Sequence, residues 1–186
     1  MGRINPELRK TVYGDENGEV TLYAQWDANP YVIRYQNSAD ENDFIDEIVS
    51  FDTQVIITGN VFTRTGYTFS GWKDEEENIY QPGYTGENFV DSGMFVLKTI
   101  WQANEYTVQF LAGEGTGTME DQVFTWDVEG KLKGNTFTRA GYNFKHWLAE
   151  NGQTYSNLSS IKNLADSGTI SLLAQWEVIK TTSRSS

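Results

Sequence analysis

A gapless internal repeat of 75 residues constrains this chain more than any other feature, because self-similarity at a fixed period decides the architecture before any local reading does. The stretch Phe137-Thr-Arg-Ala-Gly-Tyr-Asn-Phe-Lys-His-Trp147 echoes Phe62-Thr-Arg-Thr-Gly-Tyr-Thr-Phe-Ser-Gly-Trp72. The same offset relates Asp91-Ser-Gly93 to Asp166-Ser-Gly168, and Trp26 to Trp101 to Trp176. With residues 27–101 set over 102–176, 22 of 75 positions are identical, so a residue with repeat-specific chemistry must appear in both copies. Val20–Trp26 matches Ile170–Trp176 and reads as the end of a further unit. The division is therefore 1–26 (the tail and closing strand of a truncated upstream repeat), 27–101 (repeat 1), 102–176 (repeat 2) and 177–186 (a flexible C-terminal tail). The whole reads as a piece of a longer chain.

Units this small bury only about 60% of their unfolded surface and need strong cores. The six Trp, ten Tyr and ten Phe supply that area. The absence of Cys removes disulfides and thiolate metal sites from consideration. The net charge of −12 is concentrated in repeat 1, whose 13 acids and 4 bases give −9, against 8 acids and 5 bases, −3, in repeat 2. Such a surface disfavours nucleic acid and anionic membrane as partners. No apolar run approaches the roughly 20 residues of a membrane-spanning helix.

Period-two alternation marks strands at Tyr31, Ile33 and Tyr35, at Glu47–Phe51, from Tyr67 to Trp72 and through Phe95, Leu97 and Trp101, with counterparts in repeat 2. Leu22, Ala24 and Trp26 alternate in the same way. The step of three from Phe69 to Trp72 predicts a bulge that turns the indole back to the core. Leu158, Ile161, Leu164 and Ala165 fall at helical spacing behind Asn157, an N-cap type, and predict one or two turns of helix. Gly83 and Gly86 weaken the equivalent helix in repeat 1. The expected class is α+β, mostly β: tandem small domains, each a short mixed sheet with one short helix. The expected core is Tyr67, Phe69, Trp72 and Trp101 with Tyr142, Phe144, Trp147 and Trp176.

The ordered set Tyr106-Thr-Val-Gln-Phe110, a Gly-rich turn at 112–117, Phe137-Thr-Arg-Ala-Gly-Tyr142 with Phe144 and Trp147, and a closing Leu173-Ala-Gln-Trp176 resembles the Listeria–Bacteroides repeat, the internalin B-type repeat. Repeat 1 departs from it where Asn37–Asp43 replaces the glycines and where Lys98-Thr-Ile-Trp101 replaces the closing sequence. The resemblance implies a β-grasp-like fold, tandem copies in secreted or cell-wall-attached bacterial surface proteins, no enzymatic activity and no cofactor. It implies roles as spacers or as adhesion and interaction modules.

The residues themselves offer little chemistry. His146 is the only histidine and faces Gly71 in the other copy, which marks it as a surface residue. No nucleophile–base pair recurs in both units, so no catalytic residue is assigned. Asp40–Asp43 and Asp74–Glu77 lack calcium-loop spacing and read as solvated acidic tips, while Asp91 and Asp166 read as turn formers. No lysine recurs at a shared position, against a repeat-wide isopeptide crosslink. Arg64 and Arg139 are shared, and either bond a local carboxylate or carbonyl or touch a ligand. Tyr84, Trp126 and Tyr155 are the aromatic ligand-contact candidates. The leading expectation is a non-enzymatic stalk on the bacterial surface or in a secreted protein, with neighbouring repeats as partners and no membrane insertion. The alternative is an adhesin that binds a host protein or glycan.

Overall fold

The computed structural model of the chain describes residues 13–14, 18 and 20–180. They form two compact units. The first ends at Phe62 and resumes over Phe69–Trp101, and the second contains Thr63–Thr68 and the chain from Gln102 onward.

The strands of the first unit are β1 (Tyr13–Gly14), β2 (Val20–Thr21), β3 (Pro30–Gln36), β4 (Phe44–Ser50), β5 (Val55–Ile56), β6 (Tyr67–Lys73), β7 (Ile79–Tyr80), β8 (Thr85–Gly86) and β9 (Gly93–Ala103), apart from the first two residues of β6 and the last two of β9, which fall in the second unit. Five of them make a mixed sheet in the order β4-β3-β9-β6-β7, with β3 and β9 parallel in a register that sets Ile33 beside Phe95. A parallel pair needs a long crossover. Here it includes the β5–β8 ribbon, which brings Val55 and Ile57 onto the sheet's inner face. The period-two pattern places Tyr31, Ile33 and Tyr35 inside, none more than 2% exposed. Trp72 and Leu97 are fully buried beside them. Tyr35, Phe62 and Phe69 meet the Trp72 ring edge-on at 5.1, 6.2 and 5.0 Å, a preferred aromatic geometry.

The second unit repeats the plan with β10 (Glu105–Leu111), β11 (Gln122–Thr125), β12 (Gly130–Lys131), β13 (Tyr142–Ala149), β14 (Thr154–Tyr155), β15 (Ser160–Ile161) and β16 (Gly168–Val178). Its sheet order is β11-β10-β16-β13-β14, with β10 and β16 parallel and β12–β15 as the ribbon. Trp147, Val108 and Leu172 are fully buried. The pairing of β13 with β16 slips between Phe144 and His146, the bulge that the Phe-x-x-Trp step requires.

The expected α+β class is corrected: the fold is all-β, with no helix among the described residues. The helical spacing at 158–165 arises instead from turns flanking the two-residue strand β15. Leu158 and Asn163 adopt positive φ, 59° and 57°, and a right-handed helix cannot pass through either. Asn157 does not cap a helix; its side-chain oxygen accepts the backbone N–H of Asn135 at 2.8 Å. The β-grasp-like expectation keeps its mixed sheet and loses its helix, whose place on the sheet is taken by the ribbon.

Within 20–26, Val20–Thr21 pairs with β1, and Leu22, Tyr23 and Trp26 are 61%, 63% and 56% exposed among the described residues. The expected C-terminal tail begins inside β16, which runs to Val178, and residues 181–186 lie outside the described set.

The departures of repeat 1 from the family pattern are coupled in space. Thr99, 2% exposed, accepts the Ser38 backbone N–H through its hydroxyl at 2.9 Å. Asn37 supplies the acceptor for the Trp101 indole N–H at 3.2 Å, where Trp176 uses the Ala112 carbonyl at 3.1 Å. A polar turn thus replaces the glycine turn without leaving the indole unpaired.

Candidate functional site

Residues identical in both copies make the same local devices twice. Asn60 accepts the Phe62 N–H at 3.0 Å and donates to the Phe62 carbonyl at 2.7 Å; Asn135 does so with Phe137 at 3.0 and 3.1 Å. Each fastens the loop that presses Phe62 or Phe137 onto the indole. Asp52 and Asn88, both at positive φ, clamp two loops through Asp52 N–H to Asn88 Oδ1 at 2.7 Å and Asn88 Nδ2 to Asp52 Oδ1 at 2.9 Å. Asp127 and Asn163 repeat this at 2.6 and 2.9 Å. Sequence reasoning passed over these four Asp and Asn residues, although identity across the copies was their signal.

The shared Arg-x-Gly-Tyr turn is the most elaborate surface feature. In the second unit, the Arg64 guanidinium lies 3.7 Å over the Tyr67 ring. The Tyr67 hydroxyl donates to Asp127 Oδ2 at 2.6 Å. The Thr68 hydroxyl donates to Asn104 Oδ1 at 2.6 Å, and the Gly66 carbonyl accepts the Asn104 N–H at 2.8 Å. Gly66 sits at φ 75° directly beneath the Trp126 ring, where a Cβ would approach to 2.1 Å. Only glycine meets both demands. The Arg139 guanidinium lies 3.6 Å over Tyr142, and its Nη2 is 2.6 Å from Glu114 Oε2.

The charges at this turn respond to each other. The Tyr67 hydroxyl, with the Asn163 amide second, holds the Asp127 carboxyl below its ordinary range. The Asp127 carboxylate in turn raises the Tyr67 hydroxyl above its usual 10.0. A depressed carboxylate stabilises the fold above its unfolded pKa and loses that contribution as pH falls through the folded one. A raised tyrosine contributes below its unfolded pKa and loses the contribution as pH rises through the folded one. Tyr67→Phe should therefore lower the urea midpoint at neutral pH, and the gap to wild type should close at both acidic and strongly alkaline pH. A gap independent of pH would show that the bond does not form in solution.

The aromatic candidates separate. Trp126 covers Gly66 and is half-buried. Tyr155 is half-buried against the second core, its hydroxyl donating to Gln153 at 2.7 Å. Tyr84 is 49% exposed and stands edge-on to Tyr80 at 5.2 Å, at the rim of an aromatic group that continues through Phe89 to Phe95. Beside it, a cavity of about 270 Å³ is lined by Asp74, Glu75, Tyr80, Phe89 and Phe95. The counterparts of Tyr84, Phe89 and Phe95 are Ser159, Leu164 and Ile170, so the aromatic group belongs to repeat 1 alone. Of the expected core, Trp72 and Trp147 are fully buried, and Phe69, Trp101, Phe144 and Trp176 pack partly buried against the clusters. Tyr67 and Tyr142 lie outside both clusters, under their arginines, because the turn before the strand carries them to the rim.

Asp74 corrects the reading of a solvated acidic tip. It is 8% exposed and accepts four hydrogen bonds, from the N–H groups of Glu76 and Asn78 (2.9 Å each), Asn78 Nδ2 and the Tyr80 hydroxyl (3.0 Å each). Burial pushes its carboxyl up, but these donors prevail and hold it below the usual range. Tyr80 is pushed up to about 12, by burial first and then by this bond. Asp74→Ala strands buried donors and should cost about 1–3 kcal/mol. The Asp74 contribution is present above the ordinary carboxylate range and disappears as pH falls through the depressed value. A urea midpoint for Asp74→Ala equal to wild type at pH 7 would refute this.

The profile of the Listeria-Bacteroides repeat domain matches residues 31–90 and 106–175, one match in each repeat. A protein named "Putative Gly-rich membrane protein" from Evansella cellulosilytica is 27% identical over 165 residues, 86% of this chain and 18% of the relative. A "Putative membrane protein" from the same organism is 24% identical over 165 residues, 86% of this chain and 23% of its own length. The chain thus spans less than a quarter of either relative. No helix among the described residues is long and apolar enough to cross a membrane. With both copies matched in register over most of its length, the chain belongs to the Listeria–Bacteroides repeat family.

Proposed function

We propose that this chain is a non-enzymatic repeat region of a bacterial cell-surface or secreted protein, acting as a stalk that carries other domains. The observation that carries the reading is how the shared residues are used. The Asn60 and Asn135 turns, the two Asp–Asn clamps and the two buried indoles all serve the fold. A repeated ligand site would keep shared side chains for the ligand; here the exposed aromatic group is confined to repeat 1. The relatives' names, which include the word membrane, and the small share of each that this chain covers fit a module within a large envelope protein.

A second reading, adhesion, is favoured by one feature: Tyr84 exposed beside Tyr80, next to the acidic cavity. The test is a binding screen of the labelled chain against a glycan array and host-cell extracts at near-physiological salt. The stalk reading expects no saturable binder. A saturable binder that is lost in Tyr84→Ala, with the far-ultraviolet dichroism and urea midpoint of that variant unchanged, would replace the stalk with an adhesin.

A further inference from the structure

We infer that β4 is a docking edge for an extended, basic segment of a partner protein, which joins the first sheet as a further strand. β4 ends its five-stranded sheet and pairs, among the described residues, with β3 alone. Two backbone bonds that continue this ladder fix its phase: Asn37 N–H to the Asp43 carbonyl and Phe51 N–H to the Asn29 carbonyl, both at 2.9 Å. Residues 43, 45, 47, 49 and 51 therefore turn their backbone groups to β3. Those of Phe44, Asp46 and Ile48 point outward and bond to no described residue. Phe44, Ile45 and Ile48 are exposed, Ile48 at 77%. β4 is followed by a complete repeat and its counterpart β11 is preceded by one, yet each ends its own sheet. The open edge is thus a property of the repeat and not of where the chain starts or stops.

Natural sheets guard such edges with Lys, with Pro or by keeping them short. β11 has two of these guards. It is four residues long, and Lys133 donates through Nζ to the carbonyls of Glu120 and Asp121, just before it, at 3.2 and 3.1 Å. β4 is seven residues long, and the counterpart of Lys133 is Thr58. In place of a cation, β4 carries acids. Asp40, Glu41, Asp43, Asp46 and Glu47 lie in the strand or just before it, and no Lys or Arg occurs between Arg34 and Arg64. Arg34 bonds Asp46 twice at 2.7 Å and lies 3.7 Å over the Phe44 ring, so that face is ordered and its acid is paired. Asp43 and Glu47, on the other face, meet neutral donors among the described residues, Asn37 at 3.0 Å and Tyr35 at 3.2 Å. A second copy of β4 would set acid against acid, which destabilises a strand pair. A strand with Lys or Arg on one face, opposite Asp43 and Glu47, and apolar residues on the other, opposite Phe44 and Ile48, satisfies backbone, charge and apolar surface together. The edge uses no residue of the Tyr84 group, so this inference and the stalk reading fail independently.

The test is titration of the ¹⁵N-labelled 186-residue chain with a capped peptide of about eight residues, alternating Lys and Val, to about 2 mM, so that millimolar affinities register. The expected result is a saturating amide shift along 44–48. Amide exchange should slow at Phe44, Asp46 and Ile48 and stay as it was at Ile45, Glu47 and Val49, an alternation that an added strand imposes and a diffuse charge contact does not. Ile48→Lys and Thr58→Lys, both at exposed positions, place an ammonium at the edge as β11 already has; each should weaken binding at least several-fold with the urea midpoint unchanged. A peptide of alternating Glu and Val should not bind. No saturating shift at 44–48 would overturn the proposal. So would shifts without slowed exchange at the three outward amides, the mark of a polycation held by charge alone. Equal binding of the acidic peptide, or binding that both variants leave unchanged, would do the same. A concentration-dependent shift at these residues in the chain alone would replace the basic partner with a second copy.

Discussion

Trp147→Ala is expected to destabilise the second unit by about 3–5 kcal/mol, the cost of a buried large-to-small change at an aromatic centre. The indole is fully buried. Phe110, Phe137 and Phe144 surround it with ring centroids at 5.0, 6.1 and 4.8 Å, so no single neighbour can close the void. A stability of about 5–15 kcal/mol for a typical domain leaves little margin after such a loss. The indole N–H makes the two copies differ. Trp72 donates to the Thr58 carbonyl at 3.0 Å, whereas the Trp147 N–H is buried without an acceptor. Trp147→Phe therefore removes a polar group that has no partner, while Trp72→Phe strands a carbonyl. The phenylalanine change should cost less at 147 than at 72, although the alanine changes cost about the same. Urea titrations followed by far-ultraviolet dichroism decide the matter. A midpoint for Trp147→Ala close to wild type would mean that the ring is not the centre of the core.

The strands were legible because alternation with a buried face is a local pattern. Tyr31, Ile33 and Tyr35 sit on one face whatever the chain does elsewhere, and Phe-x-x-Trp announces its own bulge. The ribbon was not legible. Its two-residue strands give no period, so Ile57 and Leu132, each 1% exposed, were invisible as core residues within what read as loop. The spacing of Leu158, Ile161, Leu164 and Ala165 satisfied a helical template by coincidence. The surrounding Ser156, Asn157, Ser159, Ser160 and Asn163 are residues whose side chains compete with helix for backbone partners. Gly83 at φ 88°, the counterpart of Leu158 at 59°, was the available hint that the position is left-handed in both copies. Asp74 misled for a different reason. A run of four acids reads as solvent-facing, but one carboxylate in such a run can turn inward once Glu77, at φ 66°, lets the chain reverse around it.

Gly66→Ala against Gly141→Ala isolates the turn from its cover. Both glycines are left-handed, at φ 75° and 82°, so alanine pays the same backbone strain of about 1–2 kcal/mol at either site. At Gly141 that is the whole expected cost, since the new methyl group meets nothing within 4 Å. At Gly66 the methyl group would stand 2.1 to 2.4 Å from three atoms of the Trp126 ring, closer than any real contact. Either the indole swings away or the Arg64–Thr68 segment lifts, and overpacking of this kind adds about 1–3 kcal/mol. The lift would also draw the Tyr67 hydroxyl off Asp127, from 2.6 Å, and remove the bond that depresses that carboxyl. Gly66→Ala should therefore lose about 2–4 kcal/mol in all, raise the Asp127 pKa towards its ordinary value and change the environment of Trp126. Gly141→Ala should leave Asp127 and Trp126 as they are. Carbonyl-detected titration of Asp127 and tryptophan side-chain amide shifts read the two effects separately from stability. Equal costs for the two substitutions, with Asp127 unmoved in both, would mean that Trp126 does not lie over Gly66.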